Sequence, residues 1–380
     1  MHILIAPNAF KNSLAAPGVA EAIKEGLQIS KLKCTSECFP VGDGGDGTGE
    51  LLLHHCHGVS EKVEVHDPLG RKIFSTFGLI DGGKTAIIEM ADASGLRLLD
   101  PNELDPLKAS SYGTGELISR ALEKGVEKII LCIGGSATVD GGVGILQALG
   151  CRFLNKDGNE LSDLPGSLSE LKEVDLSKLN KKTSNCKIIV LCDVENVLLG
   201  EKGAAAVFGP QKGATPEGVK KLENSLANLR NVVLESTGKD MAMLKHGGAA
   251  GGVAAGLAAL LNAELVNGID HFLSMTNFED ALKKTDLVIT GEGSIDLQTL
   301  DGKGPFGVAK KAKEKQLPVI ALAGKIPLQP SSSLDHYFDV MVCINNELME
   351  LSSAMTHSKI NLVRTAATIG NLLALGNKPD

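Results

Sequence analysis

The stretch Lys128-Ile129-Ile130-Leu131-Cys132-Ile133-Gly134-Gly135-Ser136-Ala137-Thr138-Val139-Asp140-Gly141-Gly142-Val143 decides the reading of the fold. Lys128 to Ile133 is a near-continuous apolar run of strand length, the pattern of a parallel strand covered on both faces. A glycine block follows at once, and a helical pattern runs from Gly142 to Leu149. Similar runs recur at Ile3 to Ala6, Lys187 to Cys192, Leu287 to Thr290, Pro318 to Leu322 and Val340 to Ile344, with helical patterns at Pro17 to Leu27, Gly115 to Lys124 and Phe306 to Lys315. Such alternation predicts an α/β fold with a largely parallel sheet.

Between Val63 and Leu99 the pattern changes. Val63 to Val65, Lys72 to Phe77 and Thr85 to Glu89 read as strands joined by turns at Pro68-Leu69-Gly70 and Asp81-Gly82-Gly83, an antiparallel meander. Simple strand–helix alternation returns after about Thr285. A chain of 380 residues carries a prior of two domains. The expectation is therefore one domain inserted in another, each on a parallel or mixed sheet: residues 1–65 with 285–380 as a Rossmann-like three-layer domain, and 66–284 as the insert. The polar stretch Asn155 to Ser184 reads as a surface excursion of the insert.

Composition narrows the function. The chain is 43% hydrophobic and 22% charged, as packed proteins are, with 3% aromatic residues and no Trp. Its 38 basic residues stand against 46 acidic ones, for a net charge of -8. That balance, with so few aromatics for stacking bases, argues against a nucleic-acid partner. The longest uncharged, mostly apolar run, Gly247 to Leu261, is shorter than the roughly 18 residues of a membrane span and reads as a buried helix. Met1 to Ile5 meets Pro7 with no basic n-region, so a cytoplasmic protein is expected. The eight cysteines include no CxxC pair, which fits a reducing compartment.

The 44 glycines gather in blocks that carry carboxylates or lysine beside strands, where open α/β sheets bind ligands. Gly42-Asp43-Gly44-Gly45-Asp46-Gly47 contains a GxGxxG pattern. Its carboxylates would repel a pyrophosphate, and Mg²⁺ between Asp43 and Asp46 would remove that objection; an acidic surface turn is the alternative. Gly134, Gly135, Ser136, Thr138 and Asp140 read as an anion nest for nucleotide phosphates. Gly248 and Gly251, before the Ala-rich helix, read as part of the same nucleotide site. The block Gly291-Glu292-Gly293-Ser294-Ile295-Asp296, continuing to Lys303, brings two carboxylates and an ammonium to a strand end. Asp193 follows another strand directly, and Lys11 follows the first. Phosphoryl transfer needs these parts: a metal, cations, and a carboxylate to orient or deprotonate the attacking hydroxyl. A GxxxxGK[ST] loop is absent, as are the HRD and DFG signatures of protein kinases.

These residues resemble the glycerate kinase type I family over essentially the whole chain. The resemblance is carried by Ala6 to Leu14, Pro40 to Thr48, Asp67 to Arg71, Ile88-Glu89-Met90-Ala91, Ser94-Gly95-Leu96, Gly134 to Gly142, Cys192-Asp193-Val194, Phe208 to Ala214, Gly247 to Gly252, and Thr290 to Asp296 with Gln298-Thr299. It implies ATP-dependent phosphorylation of D-glycerate, most simply at the 2-position with the 3-position as alternative, in a cleft between two α/β domains. Where many members read Asp-Ser-Phe-Lys-Gly-Ser, this chain has Asn8-Ala9-Phe10-Lys11-Asn12-Ser13.

The expected roles are as follows. Asp193, Asp43 and Lys11 are catalytic, with Asp193 as the base; Ser13, Asp46, Glu292, Asp296 and Lys303 bind substrate; Asp43, Asp46 and Asp193 hold Mg²⁺. ATP is the co-substrate. The expected partner is glycerate, with a second copy in a homodimer compatible with the sequence. An NAD-dependent oxidoreductase of hydroxy acids and a non-catalytic glycerate or nucleotide-binding regulator are the rival readings.

Overall fold

The computed structural model describes residues 1–347 and 350–376. Residues 348–349 and 377–380, which fall in the expected outer domain, lie outside the described residues. In chain order the strands are β1 (His2–Ile5), β2 (Thr35–Cys38), β3 (Val59–His66), β4 (Lys72–Ile80), β5 (Thr85–Glu89), β6 (Lys128–Cys132), β7 (Arg152–Leu154), β8 (Glu173–Asp175), β9 (Lys187–Cys192), β10 (Glu264–Asn267), β11 (Leu287–Ser294), β12 (Val319–Lys325) and β13 (Val340–Cys343). Packing divides the chain into two compact units, Met1–Asp43 with Ile269–Asp380, and Gly44–Gly268.

The first unit is built on a five-stranded sheet in the order β13-β12-β11-β1-β2, parallel throughout. Its middle strands are apolar because both faces are covered: Ile3, Ile5, Ile289 and Leu322 join Val19, Ile23, Leu27, Leu362, Ala366 and Ile369 in one core. The last six come from the helices Ala16–Ile29 and Ser358–Gly376. These two helices touch at Gly26, where an added Cβ would lie 2.3 Å from the Val363 carbonyl oxygen and 2.6 Å from the Ala366 Cβ.

The second unit holds a six-stranded sheet in the order β10-β9-β6-β5-β4-β3. It is parallel from β10 to β5 and antiparallel from β5 to β3, the meander read from the sequence. Strand β3 lies within the stretch that the sequence reading gave to the outer domain. Its antiparallel ladder with β4, from Val59↔Leu79 to His66↔Lys72, holds it in the mixed sheet instead. The stretch Asn155 to Ser184 is also more than a surface excursion: Leu161, Leu168, Leu171 and Val174 are buried in this unit's core, and β7 pairs with β8. Its polar composition had hidden these widely spaced apolar anchors. Among the described residues, no helix is long and apolar enough to cross a membrane.

The Gly26 contact gives a stability prediction. Alanine normally outranks glycine inside a helix, but here the neighbour is a backbone carbonyl that cannot swing away. Gly26→Val should lower unfolding stability by about 1–3 kcal/mol as overpacking does; denaturant melts that match the parent would show that the helices can part without cost.

Candidate active site

In the second unit, the carboxyl ends of parallel strands carry the candidate chemistry. Glu89 ends β5, the Gly134–Gly142 loop follows β6 and Asp193 follows β9. The loop beginning at Gly44 lies directly against the β6 loop. Gly134 N–H donates to the Gly44 carbonyl at 2.9 Å, and a Cβ on Gly134 would fall 2.4 Å from the Gly45 Cα. Gly44, at φ +95°, would place a Cβ 2.7 Å from the Leu191 carbonyl oxygen of β9. Backbone meets backbone here, which is why the sequence is glycine.

The GxGxxG pattern at Gly42, Gly44 and Gly47 does not present an empty helix N-terminus. Glu89 fills it: one carboxyl oxygen accepts the Gly47 N–H and the other accepts the Gly49 N–H at 3.0 Å, at the start of the helix Thr48–His55. Burial pushes the Glu89 carboxyl up to about 8; the Gly47 N–H opposes this, and the neighbouring Asp46 and Asp92 add to it. Asp46 itself lies 3.3 Å from Arg97 Nη1, and the same guanidinium pairs with Asp92.

Asp140 turns out to serve the loop. It is fully buried, and its Oδ2 accepts from Ser111 N at 2.9 Å, Ser111 Oγ at 2.6 Å and Gly144 N at 3.3 Å, while Oδ1 accepts from Gly142 N at 3.0 Å. Both of its carboxylate oxygens are thus engaged in holding the loop. Gly248 and Gly251 likewise have protein-side reasons to be glycine, since a Cβ would fall 2.3 Å from the Val197 carbonyl oxygen and 2.1 Å from that of Thr138. His246 Nδ1 bonds the Val194 carbonyl at 2.6 Å and so ties down the segment that follows half-buried Asp193.

A residue that the sequence reading passed over lies under this loop. Lys212 is buried, and its Nζ donates to Ser136 Oγ at 2.8 Å and to the Thr138 carbonyl at 2.7 Å. Burial lowers its ammonium to about 7, with Asp140 acting the other way. The Thr138 hydroxyl beside it is buried without a hydrogen-bond partner. Lys212 sits inside the Phe208 to Ala214 motif, so its signal was a lysine flanked by glycines in a run otherwise short of charge.

In the first unit, Asp43 and Glu292 are both buried, with Asp43 raising Glu292. Asp43 Oδ2 accepts from Asn8 Nδ2 at 2.7 Å and from Gly304 N at 3.1 Å. Glu292, in β11, accepts from Thr299 Oγ1 at 2.9 Å. Burial raises its carboxyl to about 7; Lys303 opposes this, Asp43 adds to it, and Thr299 and Lys11 oppose it. Lys303 is half-buried at the N-cap of the helix Gly304–Glu314, and Lys11 is exposed after β1. Two of the expected ligand residues are engaged locally. Asp296 caps the turn Leu297–Asp301 by accepting from Gln298 N at 2.9 Å, and Ser13 Oγ donates to the Met355 carbonyl at 2.6 Å and lies 2.7 Å from Ser358 Oγ.

Among the described residues, no group of three or more His, Cys, Asp or Glu side chains gathers as a metal cage. Mg²⁺ does not demand one, because it is commonly held by one or two carboxylates together with substrate phosphates and water. Half-buried Asp193 and exposed Asp46 carry hard oxygen donors of that kind, Asp46 with Arg97 beside it.

The Asp140 network yields a second prediction. Asp140→Ala strands at least two backbone N–H groups and a buried hydroxyl, and should cost about 3 kcal/mol or more, read as a lowered melting transition. A variant as stable as the parent would mean that the loop repacks freely.

Comparison with known proteins agrees with this architecture. The profile of the glycerate kinase family matches residues 3–374. A glycerate kinase of Halalkalibacterium halodurans is 43% identical over 97% of both chains. A glycerate 2-kinase of Escherichia coli is 41% identical over 99% of both. A crystal structure of a Salmonella typhimurium protein assigned as glycerate kinase 2 superposes with a TM-score of 0.80 at 42% identity, covering 99% of each chain. With the profile and the full-length relatives pointing the same way, the chain belongs to the glycerate kinase family.

Proposed function

We propose that this enzyme transfers the γ-phosphoryl group of ATP to the 2-hydroxyl of D-glycerate with the help of Mg²⁺, in the cytoplasm, as a monomer or a homodimer. The observation that carries the chemistry is the buried pair Asp43 and Glu292 at the strand ends of the first unit, flanked by Lys303 and Lys11. The 2-position is favoured by the full-length likeness to the E. coli protein called glycerate 2-kinase.

In this reading Glu292 is the proton acceptor. As glycerate oxygen forms its bond to phosphorus and the bond to the ADP oxygen breaks, the hydroxyl proton passes to the Glu292 carboxylate. A carboxyl raised to about 7 is a competent base near neutral pH, because its affinity for the proton is matched to the working range. Thr299 orients one Glu292 oxygen, and the Asn8 amide with the Gly304 N–H orients Asp43. Lys11 and Lys303 neutralise the substrate carboxylate. The loops Gly44–Thr48 and Gly134–Gly142 approach the phosphates through backbone N–H groups, with Ser136 and Lys212 at their base. Asp193, first read as the base, is assigned with Asp46 to Mg²⁺, which supplies positive charge to the transferring phosphoryl group when bound. Glycerate phosphorylation at the 3-position would use the same residues with the substrate turned. The oxidoreductase reading loses its footing because Glu89 occupies the N–H groups that a dinucleotide pyrophosphate would need.

Incubating the purified protein with ATP, Mg²⁺ and D-glycerate should give ADP and a product whose proton-coupled phosphorus NMR signal is a doublet, from one hydrogen on the carbon bearing phosphate. A triplet would move the reaction to the 3-position, and binding without ADP formation would favour the regulator. Asp193→Asn should lower turnover by about 100-fold with folding intact, while near-normal turnover would remove it from the site.

The pH dependence tests Glu292 separately. The deprotonated base acts, so kcat should rise with pH through a limb near 7, and Glu292→Gln should abolish both that limb and about 100-fold or more of the rate. Stability runs the opposite way. A carboxyl raised from 4.5 to about 7 in the folded state contributes stability that is complete below 4.5 and is lost as pH climbs through about 7. Glu292→Gln should therefore flatten the fall in Tm across that window; an unchanged slope would remove Glu292 as its source.

A further inference from the structure

The second unit contains a cavity of about 520 Å³ that none of the residues discussed above accounts for. Its size falls within the range of roughly 300–1,000 Å³ that small-molecule sites occupy. Leu69, Leu104 and Leu107 give it apolar walls, while Asn102 and the carboxylates of Glu103 and Asp105 supply a polar edge. Apolar walls with a few polar groups on one edge are what a flat heterocycle requires.

Two connections tie this cavity to the glycine loop. Leu69 and Leu104 pack against a small cluster that includes Ala137, in the middle of the Gly134–Gly142 loop. On the other side, the cavity wall at Gly213 is the next residue after Lys212, whose Nζ holds Ser136 and Thr138. Gly213 rests directly on the opposite wall: with φ +99°, its Cβ would fall 2.3 Å from the Leu104 carbonyl oxygen. One end of a bound molecule would therefore lie among leucines, next to the wall residue Gly213 that follows Lys212 in the chain.

We infer that this cavity is the nucleoside subsite, with adenine between Leu69, Leu104 and Leu107 and the phosphates extending towards Ser136 over Lys212. The inference rests on the proposed use of ATP. Hydrogen bonding sets the direction of binding. The carboxylates of Glu103 and Asp105, though paired with Arg71 and Lys108, are acceptors for an exocyclic amine, so the base belongs at their end and the phosphates at the end nearer Lys212. Glu103 is already held by Arg71 at 2.7 Å and Asp105 lies 3.2 Å from Lys108, which keeps this acidic edge in place. The same edge disfavours guanine, which offers a carbonyl where adenine offers its amine, so ATP should be preferred over GTP.

The chain lacks tryptophan, so one introduced indole is a clean reporter. Lys108→Trp places it at the exposed rim of the cavity. Titration of this variant with ATP or ADP should change its emission saturably, with half-saturation near the KM for ATP, and D-glycerate alone should leave it unmoved. Emission that stays flat at nucleotide concentrations saturating turnover, or that responds equally to glycerate, overturns the subsite. Leu104→Trp, which fills the cavity, should raise the KM for ATP about tenfold or more and leave the KM for glycerate unchanged; an unaltered KM for ATP in a folded Leu104→Trp enzyme also overturns it. A parent protein that produces no ADP from ATP and glycerate would defeat the kinase reading instead, and an emission response to ADP would still stand as support for the cavity as a nucleotide site.

Discussion

The absence of side chains at a few positions sets the geometry on which the rest of the second unit's site depends. Gly44, Gly134 and Gly251 each bring backbone to within a distance that a Cβ would forbid. The Gly44–Thr48 loop can then lie on the β6 loop, and the segment before the Ala-rich helix can lie on Thr138 and Val139. Loops packed this way keep N–H groups near strand ends, where the sheet's own ladders have stopped consuming them. A methyl group at any of the three would separate the layers and move Ser136 and Asp140 with them.

Against that frame, the buried charges separate into two kinds. Asp140 has several donors in hydrogen-bond range, and its burial is compensated by them; removing it would hurt because the donors would remain. Glu89, Glu292 and Lys212 are different, since burial moves all three towards their neutral forms despite the partners they have. Groups held at that balance respond to small changes in nearby charge, and the arrival of a phosphate or a substrate carboxylate is such a change. Glu89 closes a helix N-terminus, whose N–H groups oppose the effect of burial, whereas Glu292 and Lys212 border loops that the proposed substrates would reach.

The fold was legible in the sequence because its strands are short apolar runs and its turns are glycine blocks; β5, β6 and β9 stand where the periodicity placed them. The hidden parts were those whose meaning is tertiary. Leu161, Leu168 and Leu171 are spaced too irregularly to announce a buried anchor, and only the packing of the β7–β8 hairpin turns them inward. Strand β3, at the edge of its sheet, is exposed or half-buried along most of its length, so few of its residues announce a core. In the candidate site, the glycine blocks and Asp43 and Glu292 could be picked out, but roles could not: a carboxylate in a glycine loop looks the same whether it caps, as Asp296 does, or holds a helix loop, as Asp140 does. Lys212 stood in a recognisable glycine-flanked motif, but its burial, which is what makes it unusual, is a tertiary property that the pattern does not carry.

Asn8 shows how one departure from a family pattern can be read physically. Its Oδ1 accepts the Ala9 N–H at 2.8 Å, which fixes the amide so that Nδ2 points at Asp43. There is little room to rearrange, since a Cβ on Gly304 would already lie 2.9 Å from Asn8 Nδ2. An aspartate in the same place could keep the Ala9 hydrogen bond but would set a second acceptor against a buried carboxylate, and one of the two would need a proton or a cation between them. Asparagine removes that need by donating. Asn8 thus cradles Asp43 from one side as a donor, and the neighbouring Gly304 N–H donates to the same carboxylate oxygen.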